Sequence, residues 1–117
     1  MKVIIAGSRN FSNFNLIYTT MDELRKTMNI EEVICGGCKG PDMAGKWWGE
    51  TRGIPVRMFE AEWDIYGKAA GPIRNHKMGD YADFLVAFWD GKSKGTKDMI
   101  DYMRNIKKHG KVVLFNG

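Results

Sequence analysis

Residues 33–44 read Val33-Ile34-Cys35-Gly36-Gly37-Cys38-Lys39-Gly40-Pro41-Asp42-Met43-Ala44. An apolar run typical of the end of a buried strand meets three glycines in five residues, and Pro41 then stands where a helix takes its first residue. The stretch therefore predicts a strand, a glycine loop and a helix. Glycines let the backbone approach a ligand, and the unpaired N–H groups of a helix start attract anions. The loop is thus a candidate phosphate site, with a tight turn and close helix packing as the alternative.

Strands and helices alternate on both sides of this stretch. Apolar runs predict strands at residues 2–6, 32–35, 54–59, 84–89 and 111–115. The run at 84–89 is the most apolar, so we expect it to be central in the sheet. Residues 1–117 are therefore expected to form a single α/β domain, in which helices cover both faces of a five-stranded parallel sheet.

Four helices are predicted between these strands. The first is capped by Ser12 or Asn13, and the second begins at Pro41 and ends near residue 52, with Gly53 as its stop. Residues 69–72 open the third after an irregular connection from residue 60, and Thr96 caps the fourth, for which Gly110 is the expected stop.

Ligands of open parallel sheets bind at the carboxyl ends of the strands. Three segments rich in glycine and polar residues follow predicted strands and would meet at that edge, namely 7–11, 36–42 and 90–96. Together they supply backbone N–H groups, hydroxyls and a guanidinium, which are the groups that hold phosphate. We expect a ligand site formed by Gly7, Ser8, Arg9, Gly36, Gly37, Gly40, Asp42, Asp90, Gly91, Ser93, Gly95 and Thr96.

Residues outside these loops extend the candidate site. Arg74 and Asn75, in the first turn of the third helix, could add a cation and an amide, although a surface ion pair would also explain Arg74. Trp89 leaves its strand at the ligand edge and Trp63 lies in the irregular connection. Either indole could stack on a base, and plain packing is the alternative for both.

Asp42 and Asp90 are the candidate catalytic residues. Each could bind a ribose hydroxyl, cap backbone donors or act as an acid or base, and these three roles stay open. Residues 40–46 match the first seven positions of a Walker A loop, but Trp47 replaces the Ser or Thr that binds magnesium. We therefore predict no Walker A site and no bound cofactor.

Composition and charge narrow the classes of partner. Lys and Arg number 18 against 14 Asp and Glu, and this net charge of +4 is too spread along the chain to favour nucleic acid. The apolar run at 2–6 is too short for a signal peptide, and no later run approaches the roughly 20 residues of a membrane span. We expect a cytoplasmic protein that does not contact membranes.

The two cysteines of the chain suggest a further hypothesis. Cys35 and Cys38 form a C-x-x-C motif beside a helix start, which is typical of a redox dithiol, although the glycine loop explains the stretch without redox chemistry. No metal site is predicted, since neither histidine lies at ligand spacing from the cysteines.

Trp47 and Trp48 lie about 100° apart on one helix, so we expect one to be exposed, which would allow a homo-oligomer to form.

An ordered series of motifs supports a family assignment. In chain order they are Gly7-Ser8-Arg9 with Phe11, Gly36-Gly37 with Gly40 and Asp42, Trp63 with Gly67, Gly71-Pro72, Arg74-Asn75 with Met78, Ala87-Phe88, Asp90-Gly91, Ser93 and Gly95-Thr96. The series resembles the YspA-type branch of the SLOG superfamily, small proteins of bacteria and phages that are related to the Rossmann-like domains of DprA and LOG proteins. This resemblance implies a Rossmann-like three-layer domain that binds a nucleotide or nucleotide-derived ligand with the loops named above.

One position departs from the enzymes among these relatives. LOG proteins are phosphoribohydrolases with a Gly-Thr pair and a Glu three residues after the Thr. Here Met99 holds that position, and a thioether cannot serve as a base. Asp98, one position earlier, is expected to point about 100° away from Met99 around the helix axis, so it is a poor substitute for the Glu. We expect it to lie in the first turn of its helix, where a negative charge is favourable near the positive end of the helix dipole.

These observations predict a protein that senses or sequesters a nucleotide-derived small molecule. Two alternatives remain open. One is a nucleotide hydrolase of the phosphoribohydrolase or N-glycosidase type, which would need Asp42 or Asp90 as acid or base. The other is a single-stranded nucleic-acid binder, by analogy with DprA.

Overall fold

A computed structural model of the protein describes residues 1–37 and 40–115. In this part of the chain five strands form one sheet: β1 (Lys2–Gly7), β2 (Glu32–Cys35), β3 (Val56–Met58), β4 (Phe84–Trp89) and β5 (His109–Leu114). All neighbouring pairs are parallel, in the order β3-β2-β1-β4-β5. The predicted five-stranded parallel sheet is confirmed. Its central strand is β1 rather than β4, because the chain adds β2 and β3 on one side of β1 and then returns to add β4 and β5 on the other.

Helices cover both faces of the sheet. Across the described ranges they are α1 (Phe14–Thr27), α2 (Pro41–Thr51), the single turn α3 (Trp63–Tyr66), α4 (Ala70–Tyr81) and α5 (Lys94–Asn105). A 3₁₀ turn, Gly67–Ala69, joins α3 to α4, so the connection predicted to be irregular is partly helical. None of these helices is long and apolar enough to cross a membrane.

Strand alternation divides the core into two halves. Val3 and Ile5 point to the face that carries α1 and α2, whereas Ile4 and Ala6 point to the face that carries α4 and α5. Both clusters contain fully buried large side chains, such as Trp48 in the first and Met99 in the second. The predicted three-layer α/β architecture follows directly from this alternation.

The first two helices match their sequence signals. Asn13 caps α1, accepting a hydrogen bond from the Leu16 backbone N–H at 3.1 Å. Gly53, at φ +70°, follows the end of α2 as expected. Trp48 is fully buried while Trp47 is 43% exposed, which confirms that only one of the two faces the core. Self-association through Trp47 stays a prediction.

The boundaries of α5 and β3 correct the sequence interpretation. Helix α5 begins at Lys94, with Ser93 in the cap position, so Thr96 lies inside the helix instead of capping it. The helix ends at Asn105, where Lys107 takes a left-handed conformation (φ +60°) and its N–H bonds to the Arg104 carbonyl. Gly110, the expected stop, belongs to β5. Strand β3 covers only Val56–Met58 of the predicted 54–59.

Candidate ligand-binding cleft

A cleft of about 610 Å³ opens at the carboxyl edge of the sheet. It lies beyond β1 and β4, the adjacent strands between which the strand order reverses. Its walls come from the loop after β1, the start of α2, the turn α3, the first three turns of α4, the loop between β4 and α5, and the first two turns of α5. Arg74 and Asn75 lie in the second turn of α4 and not in the first, because this helix begins at Ala70. The fold therefore brings together at one edge the polar segments that the sequence predicted to meet there.

Many of the predicted site residues line this cleft. In the described chain they are Gly7, Ser8, Arg9, Asp42, Arg74, Asn75, Asp90, Ser93, Gly95 and Thr96, together with Trp63. Cations and carboxylates are mixed on the walls, since Lys68, Lys94 and Asp98 also contribute. The arrangement can hold a phosphate and accept hydrogen bonds from hydroxyl or amino groups in the same ligand.

The other predicted residues do not line the cleft. Gly37 faces Met58 and Glu60, and Gly40, at φ +81°, backs onto the carbonyls of Ser8 and Arg9. Gly36 lies against Arg74 and Asp42, and Gly91 is at φ +80° with no described atom within 4 Å of a Cβ built on it. Cys38 and Lys39, which follow Gly37 in the sequence, lie outside the described residues.

The Trp89 side chain packs into the protein and does not line the cleft. Its indole Nε1 donates to the Ser93 carbonyl at 3.0 Å, and its ring packs against the core cluster beneath α4 and α5. Trp63 is the tryptophan at the cleft, and it is 53% exposed. Of the two alternatives for stacking on a base, the geometry favours Trp63.

A hydrogen-bond network runs along the wall formed by α4 and α5. The Arg74 guanidinium donates through Nη1 to the Gly36 carbonyl and through Nε to Asn75 Oδ1, at 3.0 Å for the second bond. The Asn75 amide donates to the Gly95 carbonyl and to Asp98 Oδ2, both at 3.1 Å. Asn75 is only 4% exposed, so this network satisfies a buried amide and fixes three segments around the cleft.

Asp90 shapes the loop between β4 and α5. Its Oδ1 accepts hydrogen bonds from the backbone N–H groups of Ser93 (2.8 Å) and Lys92 (2.9 Å). These two donors, that of Ser93 first, hold the pKa of Asp90 below its usual range. The buried Ser8 hydroxyl accepts from the Asp90 backbone N–H at 3.2 Å and so joins the two loops. An ionised carboxylate occupied in this way is suited to organising the loop.

Asp98 and Met99 both line the cleft. The expected place of Asp98 in the first turn of α5 was wrong, because the helix starts at Lys94 and Asp98 is its fifth residue. Side chains on a helix lean toward its N-terminus, so a residue in the second turn covers the turn before it. That lean is the sequence signal that could have found Asp98.

Cys35 is a buried thiol at the end of β2. Burial raises its pKa above the ordinary value, and the nearby Asp42 carboxylate adds to the rise. Such a thiol stays protonated and is a poor nucleophile. Its proposed redox partner Cys38 lies outside the described residues, so the dithiol hypothesis stays a prediction.

The sheet order and the cleft at its switch point define a Rossmann-like α/β protein. More specifically, the chain belongs to the YspA, cpYpsA-related SLOG family, whose model matches residues 1–66. The resemblance inferred from the motifs is thereby confirmed. The chain is also 34% identical over 116 residues to the Gene 61 protein of Mycobacterium phage D29, covering 93% of this chain and 90% of that protein.

A solved structure shares the fold. The X-ray structure of DNA processing protein A (DprA) from Streptococcus pneumoniae superposes with a TM-score of 0.59 and 15% sequence identity. The match covers 98% of this chain and 59% of the DprA chain. At this identity the likeness establishes a common architecture and nothing about a shared ligand.

Proposed function

We propose that the protein binds a nucleotide or nucleotide-derived small molecule in the cleft, to sense or sequester it. The observation that carries the proposal is the composition of the cleft wall. Arg9, Lys68 and Lys94 supply cations at the same opening as the start of α5 and an exposed indole, that of Trp63. Cations and helix N–H groups suit a phosphate, and an aromatic face suits a base.

The start of α5 is the phosphate subsite in this proposal. The helix has twelve residues, and Ser93 in its cap position makes no side-chain hydrogen bond to the backbone of the helix. Gly95 lines the cleft, and a Cβ built on it meets no described atom within 4 Å, so there is open space beside the first turn. Backbone N–H groups at such a start, next to Lys94, provide donors and partial positive charge for an anion.

Trp63 is the base subsite. Its ring packs over Gly71 at the start of α4, where a built Cβ would lie 3.4 Å from Cη2. The rest of the indole is open, and stacking on an aromatic side chain contributes about 1–3 kcal/mol per base. The cleft volume of about 610 Å³ lies in the usual range for small-molecule sites.

The residues available for acid–base catalysis in the cleft favour ligand binding without turnover over hydrolysis. Asp90 is held ionised by two backbone donors, which disfavours it as a general acid. Met99 replaces the Glu of the related hydrolases, and a thioether neither donates nor accepts a proton. The hydrolase alternative therefore depends on Asp42.

The experiment is calorimetric titration with ribonucleoside mono- and diphosphates, ADP-ribose and cyclic nucleotides. We expect at least one to bind, and Trp63→Ala to weaken it about tenfold or more. Tyr66→Ala is the matched control, because Tyr66 lies on the same turn and is also exposed but does not line this cleft.

Three results would overturn this assignment. Absence of binding across the set would remove the small-molecule function. Tighter binding of single-stranded oligonucleotides, with an affinity that falls steeply with salt, would transfer the function to nucleic acid, in line with the name of the DNA processing protein that shares the fold. Release of free base or phosphate during titration would instead show an enzyme.

A further inference from the structure

Asp98 is a cleft carboxylate to which the proposed phosphate and base subsites give no role. Its side chain is 33% exposed and lies on the wall of the cleft. Asn75 Nδ2 donates to Oδ2 at 3.1 Å, and His76 Nε2 lies 3.5 Å from Oδ1. One residue of α4 therefore holds one carboxylate oxygen of a side chain that belongs to α5, and a second residue of α4 lies close to the other oxygen.

These neighbours are themselves fixed. The buried Asn75 amide is held by Arg74 and the Gly95 carbonyl, as described above. The His76 ring stacks on Tyr102 with a centroid distance of 4.0 Å and an interplanar angle of 10°, and the Tyr102 hydroxyl donates to Asp80 Oδ1 at 2.6 Å. The Asp98 carboxylate is thus oriented before any ligand arrives, which lowers the entropy lost on binding.

The chemistry of a carboxylate determines which part of a nucleotide it can meet. An ionised carboxylate only accepts hydrogen bonds and repels a phosphate, so it suits a group with donors. Asp98 lies four residues, a rise of about 6 Å, from Lys94 at the start of α5. A sugar joined to a phosphate at the helix start would lie at about that depth, and its two adjacent hydroxyls match the two carboxylate oxygens.

We propose that Asp98 recognises the 2′- and 3′-hydroxyls of ribose, so that the cleft selects ribonucleotides over 2′-deoxyribonucleotides. The proposal rests on the proposed function, since it requires a nucleotide in this cleft. It adds the class of sugar to the description of the ligand and makes Asp98 the specificity residue.

The test is calorimetric titration of the whole protein with AMP, GMP, CMP and UMP, and with the 2′-deoxy form of each nucleotide, in the presence of EDTA. We expect the ribonucleotide that binds most tightly to bind about tenfold or more tightly than its 2′-deoxy form, as for the loss of a hydrogen bond to a charged group. Asp98→Asn should reduce this ratio to near one by weakening the ribonucleotide alone. Asp101→Asn is the matched control, because Asp101 pairs with Lys97 on the same helix and does not line the cleft.

The outcomes separate the two proposals. If a ribonucleotide and its deoxy form bind equally to the unchanged protein, the assignment of Asp98 is wrong and the proposed function survives. The same holds if the preference persists in Asp98→Asn, or if that variant loses only guanine nucleotides, which would place a base at the carboxylate. If none of these nucleotides binds and ADP-ribose and cyclic nucleotides also fail, both proposals are overturned.

Discussion

The starts of α2 and α5 differ in their surroundings, although both helices follow a strand next to β1 and begin at the same edge of the sheet. At α2 the protein closes on itself: a Cβ built on Gly7 would lie 2.7 Å from Pro41 Cγ, and Gly40 lies against two carbonyls of the loop after β1. Pro41 and Asp42 are both buried. At α5, in contrast, a Cβ built on Gly95 would meet no described atom within 4 Å.

This difference shows that a glycine-rich loop in the sequence does not by itself identify a ligand site. The loop before α2 has the stronger signal in the sequence, with three glycines and a proline. The glycines described there allow the backbone to approach other parts of the chain, which is the alternative that the sequence left open. We therefore expect substitutions around the start of α2 to lower stability and substitutions at the start of α5 to lower ligand affinity.

The largest effect is expected for Gly95→Asp. A carboxylate about 4 Å from a bound phosphate opposes it by about 4 kcal/mol at a surface site, so the affinity should fall about 100-fold or more. The open space at Gly95 should leave the melting temperature within about 2 °C of the unchanged protein. Titration and thermal unfolding measure the two quantities, and full affinity in this variant would show that no anion binds at the start of α5.

Gly7→Ala should have the next largest effect, on stability. The added methyl group would lie closest to the Phe88 backbone carbonyl oxygen, and it would also meet Pro41 Cγ and Phe88 Cβ at 2.7 and 3.1 Å. Such overpacking costs about 1–3 kcal/mol, which urea unfolding would measure. A variant as stable as the parent would mean that the start of α2 can shift, and the contrast with α5 would then be weaker.

Asp90→Asn should have a smaller effect that depends on pH. Because the folded protein holds the pKa of Asp90 below the ordinary value of 3.8, the ionised carboxylate stabilises the fold above about pH 4. This contribution is lost as the pH falls through the lowered pKa. The melting temperatures of the two proteins should therefore differ at pH 7 and converge toward pH 3. A constant difference across this range would exclude the ionised carboxylate as its cause.

Gly95→Ala should have the smallest effect and sharpens the first prediction. Alanine in a helix is favoured over glycine by about 0.5–1 kcal/mol, and the space at Gly95 is open, so stability to urea should rise slightly. The affinity should stay much closer to that of the parent than in Gly95→Asp. If alanine weakens binding as strongly as aspartate, steric exclusion and not charge explains both variants.

The strands were predictable because their signal is local. The runs at 32–35 and 84–89 coincide with β2 and β4, since buried parallel strands are continuously apolar. The central position of β1 was missed because apolar content does not report strand order. The start of α5 was misplaced because Thr96 is a good capping residue. The Asp90 side chain instead accepts hydrogen bonds from the N–H groups two and three residues later, and this local turn places the start of the helix at Lys94.

The position of the cleft at the edge of the sheet could be predicted from the sequence, but some of the side chains that line it could not. Residues next to strand ends, such as Ser8 and Asp90, were found because the edge rule applies to them directly. Lys68 and Asp98 were missed because they reach the cleft from helical segments, where orientation depends on where each helix starts. Trp89 was proposed for the ligand because its position at the strand end does not reveal that its ring turns into the core.

The amide hydrogens at the rim of the cleft, around α3, should exchange with solvent faster than those of the sheet. Residues 62–69 are exposed without interruption, and α3 buries no side chain. A segment of this kind opens at little cost in free energy, independently of global unfolding. Its amide hydrogens should therefore exchange early, while those of β1 exchange only when the whole domain opens. A ligand seated against Trp63 would slow exchange in this segment first, so the rim reports occupancy of the cleft.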